Sequence, residues 1–281
     1  MLIARFGPKD EGLARVRLAL REAAAGYDLA SVSERSGIEA ADVDRIVFVH
    51  GTRERAGASV GGERAEIALG DAVVLRAGAE LVLDRPLSFV VFALPEPVEV
   101  ATPVFLRPDA DPRLTDTPGG CATESDAYRR VMLTWLSSNG PYTCRALNCH
   151  RVRMTDSFSH YHPRDGGFEE IYLVHDVRPG GRLLWSPDVA RIEARDAIDA
   201  QSARALVRSA AIAPGDVVFI PRGTMHRAVG GVLAHVVTIP GFVPMREIGL
   251  DHHLRAIAER FGLGPDELPW QREASLRAVV K

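Results

Sequence analysis

Three histidines and one glutamate between residues 160 and 226 have the side chains and the spacing of a metal site. His160 and His162 are separated by one residue, so in a β-strand their side chains leave the same face. Glu170 begins an alternating run, Ile-Tyr-Leu-Val, and His226 follows a glycine turn, an apolar run and a Pro-x-Gly turn. Three imidazoles and a carboxylate suit one divalent transition metal with open coordination positions, and they do not distinguish iron, manganese, zinc or nickel.

The same residues resemble the two sequence motifs of the cupin superfamily, which are His-x-His followed by Glu, and Gly-x5-Pro-x-Gly-x2-His. The second motif matches from Gly215 to His226, and the resemblance covers residues 145–240. It implies a jelly-roll β-barrel with a single metal ion. The family's metal ligands carry over onto His160, His162, Glu170 and His226.

The loop between His162 and Glu170 is longer than the family's usual loop, which makes Glu169 a second candidate for the acidic ligand. Glu170 is the predicted ligand because it directly precedes the apolar strand, where the family's acid lies. Gly230 is a further departure, since an Asn often stands at this position after the last histidine.

An internal repeat predicts two barrels of the same kind. Residues 66–78 align with residues 211–223 without a gap. Upstream, residues 44–50 align with residues 169–175, with an insertion in the second copy. The sequence therefore predicts an all-β protein of two tandem cupin (jelly-roll) barrels, followed by a C-terminal amphipathic helix.

The first copy has no metal-binding side chains at the positions that align with the four ligands, which are Ser31, Ser33, Arg45 and Leu81. Hydroxyl, cationic and apolar groups do not hold a divalent metal. We therefore expect a degenerate, metal-free N-terminal barrel that serves packing or dimer formation.

Composition and periodicity divide the chain into four parts. Residues 1–100 are assigned to the degenerate barrel, and residues 101–124, which are rich in Pro, Asp, Thr and Gly, to an exposed linker. Residues 125–245 are assigned to the metal-binding barrel, with a short helix at 126–136. Residues 246–281 are assigned to the C-terminal helix and tail.

Two segments of the second half are predicted to contain helices. Within residues 249–261, apolar residues from Leu250 to Phe261 recur at helical spacing, as in an amphipathic helix. Residues 187–209 interrupt the second barrel and are expected to form a loop and a helix at its mouth. This insertion is either a lid over the site or a solvated excursion.

The N-terminal region admits two interpretations. Val16, Leu18 and Leu20 alternate as in a strand of the first barrel, which the repeat favours. Residues 20–46 also have the helix, glycine and turn spacing of a small helix-turn-helix DNA-binding domain. That second interpretation would favour a small-molecule sensor.

Strand parity and charge add five residues to the candidate site. Tyr172 shares the inward face of the acidic ligand and is a candidate catalytic proton donor, or else a core tyrosine. Met154 and Phe158 share the face of the first histidine and are candidate substrate contacts. Arg182 and Arg222 are candidate cations for binding an acidic substrate.

Composition excludes several classes of protein. The 281 residues, 46% of them hydrophobic, suffice for one large or two ordinary domains. A formal net charge of -3 without long runs of one sign argues against non-specific binding to nucleic acid or to an anionic membrane. No signal peptide or membrane-spanning run is recognisable, so a cytoplasmic location is expected. Cys121, Cys144 and Cys149 fit no metal or redox spacing and are assigned no chemistry.

The ligand set supports two reactions on a small-molecule substrate. As a Lewis acid, the metal would assist proton transfer in aldose-ketose isomerisation, and as ferrous iron it would support a dioxygenase. The order of a metal-free barrel, a linker and a metal-bearing barrel resembles the uronate isomerase group, which includes 5-deoxy-glucuronate isomerase and 5-keto-4-deoxyuronate isomerase. This resemblance favours a sugar-acid isomerase. A cupin small-molecule sensor is the third option, and a homodimer stays open.

Overall fold

The strands of the chain form two antiparallel sheets, one for each barrel. The computed structural model describes residues 1–7, 11–124, 126–195, 198–241 and 243–281. The first sheet comprises β2 (Asp28–Ile38), β3 (Arg45–Val49), β4 (Ala56–Val60), β5 (Glu63–Ile67), β6 (Ala72–Leu75), β7 (Leu81–Ala93) and β8 (Phe105–Leu106). The second comprises β1 (Leu2–Arg5), β9 (Arg129–Leu133), β10 (Asn148–Asp156), β11 (His160–Tyr161), β12 (Glu169–Val177), β13 (Arg182–Ser186), β14 (Arg208–Ala211), β15 (Asp216–Ile220), β16 (Met225–Ile239) and β17 (Ile248–Gly249). The helices are α1 (Glu11–Ala23), α2 (Val189–Ala194), α3 (Ala200–Arg204) and α4 (Asp251–Phe261), with a short 3-10 helix at Ala274–Leu276.

Alternation along the strands divides the apolar side chains among three main cores. In β3, Val47 lies inside the first barrel, whereas Phe48 belongs to the core between the barrels. In β12, Tyr172 lies inside the second barrel, whereas Leu173 belongs to the core between the barrels. Successive side chains of a strand leave opposite faces. Each sheet therefore buries one face within its own barrel and the other against its partner, which explains why residues 46–49 of β3 and 171–174 of β12 are all apolar.

The two barrels repeat one pattern of strand pairing, as the internal repeat predicts. β3 pairs with β6 and β7, and β12 pairs with β15 and β16. The strand that precedes each barrel pairs with the other barrel, because β1 joins β15 and β8 joins β6. Residues 2–5, which were assigned to the first barrel with the rest of residues 1–100, thus belong to the second sheet. The predicted exposed linker, residues 101–124, contains β8 and buries Leu106 and Leu114.

The strand predicted from the alternation of Val16, Leu18 and Leu20 is wrong, because these residues lie in α1. Val16 and Leu20 are fully buried, whereas Leu18 is 59% exposed. Burial at a spacing of four residues is the pattern of an amphipathic helix. The helix-turn-helix interpretation is also wrong, because residues 28–38, within the segment that it requires, form β2.

The alignment of Ser31 and Ser33 with the histidine ligands is wrong. Ile38 of β2 lies opposite Leu81, just as His160 lies opposite His226 in the second barrel, so Ile38 is the residue equivalent to His160. β2 has two irregularities after Ser31 that shift its pairing with β7. Such irregularities insert residues at places that a sequence alignment does not reveal. The position of the first histidine is therefore apolar in the first barrel.

The predicted C-terminal helix is confirmed as α4. The insertion at 187–209 contains α2 and α3, which pack against α4 around Ile192 and Leu254. Residues 196 and 197 of the insertion lie outside the described residues. The short helix predicted at 126–136 is wrong, because β9 occupies its centre and pairs with β10. Within the described ranges, no helix is long and apolar enough to cross a membrane.

Candidate metal centre

Four buried side chains converge inside the second barrel. His160 lies on β11, Glu170 on β12 and His226 on β16, while His162 follows β11. One ligand atom from each of the four lies within 4.8 Å of all the others. His226 Nε2 is 2.8 Å from Glu170 Oε2, and His162 Nε2 is 3.4 Å from the same oxygen. The four predicted ligands are therefore brought together.

Backbone carbonyls orient the histidine rings. His160 Nδ1 lies 3.1 Å from the carbonyl oxygen of Phe158, and His226 Nδ1 lies 3.2 Å from that of Thr224. An Nδ1–H that donates to a carbonyl leaves Nε2 unprotonated, as in metal-binding histidines. Burial holds the pKa of His160 and of His162 well below the ordinary value. These two imidazoles are therefore neutral, which is the form in which histidine binds a metal.

Three of the converging atoms, His162 Nε2, Glu170 Oε2 and His226 Nε2, are buried, and apart from their approach to one another they have no hydrogen-bond partner among the described residues. Buried polar atoms without partners are costly, and one cation among them would satisfy all three. Burial alone would raise the pKa of Glu170, but His226 and His160 lower it overall, so the side chain is a carboxylate. Neutral imidazole nitrogens with one carboxylate are a ligand set that divalent transition metals take. The residues present fit one such ion.

The choice between Glu169 and Glu170 follows from their partners. The backbone N–H of Arg222 donates to Glu169 Oε2 at 2.9 Å, and Arg222 Nε donates to Glu169 Oε1. Arg222 Nη2 also donates to the carbonyl oxygen of Ala23, at the end of α1, at 2.9 Å. Consecutive residues of a strand face opposite ways. Glu169 therefore ties β12 to α1, and Glu170 alone of the pair points towards the histidines.

A cavity of about 290 Å³ opens on His160 and Glu170. Asn148 of β10 lies opposite Thr238 of β16, which in turn lies opposite Glu170. All three line the cavity, as does His150, and no described residue forms a hydrogen bond with the buried hydroxyl of Thr238. A row of polar groups thus crosses three strands beside the metal ligands.

The C-terminal tail supplies an acid and a cation to this cavity, which the prediction of a helix and tail did not foresee. Glu247 and Lys281 both line it, and their backbones hydrogen-bond in both directions at 2.9 and 3.0 Å. Burial, and then the charge of Glu170, raise the pKa of Glu247 to about 7. Lys281 Nζ lies 4.6 Å from the ring centre of Phe158, which stacks on His160 at 4.4 Å.

Arg129 of β9 is the second cation that lines the cavity. Its Nη1 donates to the carbonyl oxygen of Thr117 at 3.0 Å, while its buried Nε has no hydrogen-bond partner among the residues described. Cys121 also lines the cavity, with its Sγ 3.8 Å from His150 Nε2. Burial raises the pKa of the Cys121 thiol to about 12, so the thiol stays protonated.

The apolar and aromatic candidates lie in the barrel core. Tyr172 and Met154 are buried there, and neither is among the described residues that line the cavity. Burial and the charge of Glu170 raise the pKa of Tyr172 well above its ordinary value. Tyr172 therefore lies beside the acidic ligand rather than in the space that a substrate would enter. The ring of Phe158 stacks on the ring of His160.

The two arginines chosen from the sequence are likewise missing from the described lining of the cavity. Arg182 is exposed, and its Nη1 donates to the carbonyl oxygen of Gly180 at 3.1 Å. Arg222 is bound to Glu169. The insertion at 187–209 also contributes no described residue to this lining.

Neither a protein-family model nor a curated protein matches the sequence. Solved structures match the chain over most of its length. An 11S allergen from Cocos nucifera has a TM-score of 0.50 at 11% identity, over 86% of this chain and 89% of that chain. An oxalate decarboxylase formate complex from Lactobacillus farciminis has a TM-score of 0.48 at 14% identity, over 87% of both chains. A salicylate 1,2-dioxygenase from Pseudaminobacter salicylatoxidans has a TM-score of 0.46 at 10% identity, over 76% of this chain and 70% of that chain. The chain thus has the bicupin fold, two tandem jelly-roll barrels, with the candidate metal centre in the second.

Proposed function

We propose that the second barrel is a metal-dependent isomerase that moves a proton on a small sugar acid. The observation that carries the proposal is Glu247, an acid with a pKa near neutrality in the cavity that opens on His160 and Glu170. A divalent metal, when bound, supplies a Lewis acid that holds and polarises adjacent oxygens of a substrate. An acid-base group beside those oxygens is what aldose-ketose proton transfer requires.

Glu247 supports the proposal as the group that removes and returns the proton. A base works best when its pKa lies near the working pH, since it then exists in both forms. Its carboxylate would take the proton from the hydroxyl-bearing carbon beside the carbonyl. The resulting carboxylic acid, after exchange with solvent, would donate a proton to the carbonyl carbon, while the hydroxyl proton passes to the former carbonyl oxygen. Tyr172 keeps its proton, because burial and Glu170 raise its pKa, and it supports the acidic ligand instead.

Arg129 and Lys281 support an acidic substrate. Both cations line the cavity, and within the described ranges the buried Nε of Arg129 has no hydrogen-bond partner. A guanidinium binds a carboxylate with two parallel hydrogen bonds, and an ammonium adds a second positive charge. A substrate carboxylate held between them would place the rest of the molecule towards the metal ligands.

The remaining lining supports a polyhydroxylated substrate. Asn148, Thr238, Ser138 and Asn139 supply amide and hydroxyl groups to the same cavity. Its volume of about 290 Å³ is near the lower end of the range for small-molecule sites. Polar groups spread over the walls are suited to a sugar acid rather than to an apolar aromatic acid.

The proposal is tested by incubating metal-loaded protein with a panel of uronates in deuterated water, under air and under nitrogen. Isomerisation through proton transfer should place deuterium on the carbon next to the carbonyl, at the same rate in both atmospheres. Consumption of dioxygen with turnover, and its arrest under nitrogen, would instead establish the dioxygenase alternative.

A further inference from the structure

A second cavity, of about 250 Å³, lies between the two barrels. It shares no lining residue with the cavity at the metal centre. One wall is the end of β1 with Arg5, the second is the loop after β3 with Thr52 and Arg53, and the third is β12 with His175. Among the described residues that line this inter-barrel cavity, none is acidic. Every charged side chain on its walls is therefore a cation.

Arg5 is held in a fixed direction. Its Nε donates to Asp216 Oδ1 at 2.6 Å, and Asp216 Oδ2 accepts from the backbone N–H of Ala213 at 2.7 Å. Asp216 is buried, with 3% of its surface exposed. Within the described ranges, the two terminal amino groups of Arg5 have no hydrogen-bond partner. A buried carboxylate thus orients the guanidinium and leaves its outer donors for another acceptor.

Arg53 lies on the first-barrel side of the cavity and, among the described residues, has neither an ion-pair nor a hydrogen-bond partner. Arg55, two residues further along the same loop, differs in this respect. Arg55 Nη1 lies 2.9 Å from Glu66 Oε1, and Arg55 does not line the cavity. Of these two arginines in the loop, Arg55 thus forms an ion pair, and Arg53 forms none with a described residue.

His175 is the buried group at the back of the cavity. Only 6% of its surface is exposed, and neither Nδ1 nor Nε2 has a hydrogen-bond partner in the part of the chain that the structure describes. Burial, together with the nearby His235, His50 and Arg151, holds the pKa of His175 well below its ordinary value. The ring is therefore neutral and has one N–H to donate. Its neighbour His50 differs, since His50 Nε2 lies 3.2 Å from the carbonyl oxygen of Gly215.

An unpartnered imidazole that is buried carries the cost of lost hydrogen bonds with water. A ligand oxygen in the inter-barrel cavity would accept from His175 and remove that cost. The two arginines would supply charge from opposite sides, one from each sheet. Guanidinium groups match the planar oxygens of carboxylate and phosphate groups, which accept several donors at once.

We propose that the inter-barrel cavity binds a small oxyanion, a phosphate or a carboxylate, through Arg5, Arg53 and His175. This site is independent of the metal centre and of the isomerase proposed above. Its ligand would bridge the two barrels, because Arg53 follows a strand of the first sheet and the other two donors lie in the second. A ligand that binds only the folded chain stabilises it in proportion to its occupancy.

The test is thermal unfolding of the whole chain at constant ionic strength, with chloride replaced in one arm by inorganic phosphate and in another by acetate. For the wild-type protein we expect a rise in Tm of about 2–5 °C in at least one arm, given the size of the chain. Arg53→Gln should remove the rise, and Arg55→Gln, the matched control from the same loop, should retain it. His175→Gln should also reduce it, and isothermal titration of the same proteins would give the stoichiometry.

Both arginine variants alter exposed side chains and leave the metal ligands untouched, so loss of folding or of metal does not explain a difference between them. A rise confined to phosphate or to acetate identifies which oxyanion the cavity takes. No rise in the wild-type protein in either arm would overturn the proposal. An equal rise in Arg53→Gln and Arg55→Gln would overturn it as well, because the effect would then come from the metal centre or from the general surface.

Discussion

Arg45 in the first barrel stands at the position that Glu170 occupies in the second. Arg45 pairs with Leu75 of β6 as Glu170 pairs with Ile220 of β15. Arg45 is buried, and its Nη2 donates to the carbonyl oxygen of Ala79 at 3.1 Å. One barrel thus holds a cation where the other holds the acidic ligand. A fixed positive charge at this point opposes the binding of a metal ion.

We expect one metal ion per chain, bound in the second barrel. Arg45, Leu81 and Ile38 occupy the first barrel's equivalent positions and offer no ligand to a divalent cation. Elemental analysis of the whole chain, purified without added metal and then loaded with Fe, Mn, Zn or Ni, should approach a single equivalent. Two equivalents that survive dialysis would contradict this prediction.

Loss of one histidine ligand should empty the metal centre. His162→Ala and His226→Ala each remove an imidazole nitrogen from the set of four candidate ligands, and we expect metal content to fall to background. His252→Ala, which alters a histidine of α4 outside this cluster, is the control and should retain its metal. Full metal retention by both ligand variants would exclude this assignment.

Glu170→Gln should mainly affect metal binding, whereas Glu169→Gln should mainly affect the stability of the fold. Glu170→Gln removes the charged ligand, so metal content should drop sharply. Glu169→Gln should keep most of its metal but lower the free energy of unfolding by about 1–3 kcal/mol, because Arg222 loses a buried ionic partner. Elemental analysis and urea denaturation of both variants would check this, and the opposite result would place Glu169 at the metal.

Glu247→Gln should impair turnover without removing the metal. General acid-base groups contribute roughly 10²- to 10⁴-fold to rate, so kcat with an accepted uronate should fall within that range while metal content stays unchanged. Glu259→Gln, which alters an exposed acid of α4, should keep normal kinetics. Wild-type kcat in the Glu247 variant would assign proton transfer to another group.

The buried histidines between the barrels should make the protein sensitive to acid. Burial lowers the pKa of His50 to about 4, from about 6.5 in the unfolded chain. Between these values the unfolded chain binds the proton more tightly than the folded chain. The contribution of His50 to the free energy of unfolding is therefore complete above about pH 6.5, and about 3 kcal/mol of it is lost as the pH falls towards 4.

His50→Phe removes this titration and the hydrogen bond to Gly215. The variant should be about 1 kcal/mol less stable near neutral pH, but its free energy of unfolding should fall less steeply with acid. Urea denaturation across this pH range, with chelator present so that the metal centre does not contribute, would measure both effects. A slope equal to that of the wild-type protein would mean that His50 does not titrate as described.

The sequence alone was enough to predict the four candidate metal ligands and the repeated barrel. His160 and His162 are close in the chain, and strand alternation is a local property, so their shared face could be read without coordinates. Glu170 could also be separated from Glu169 by its place in an alternating run. The same parity, carried back along β10, would also have found His150 and Asn148, which line the cavity.

Only the tertiary structure decided which groups surround the metal ligands and how the barrels join. Glu247 and Lys281 reach the cavity because β17 pairs with β11. The pairing of β1 with the second sheet and of β8 with the first likewise depends on contacts between distant segments of the chain. Ser31 was misplaced because irregular pairing in β2 adds residues that leave no trace in the sequence pattern. Local periodicity specifies the face of a strand, but long-range pairing selects its neighbours, and those neighbours define the cavity.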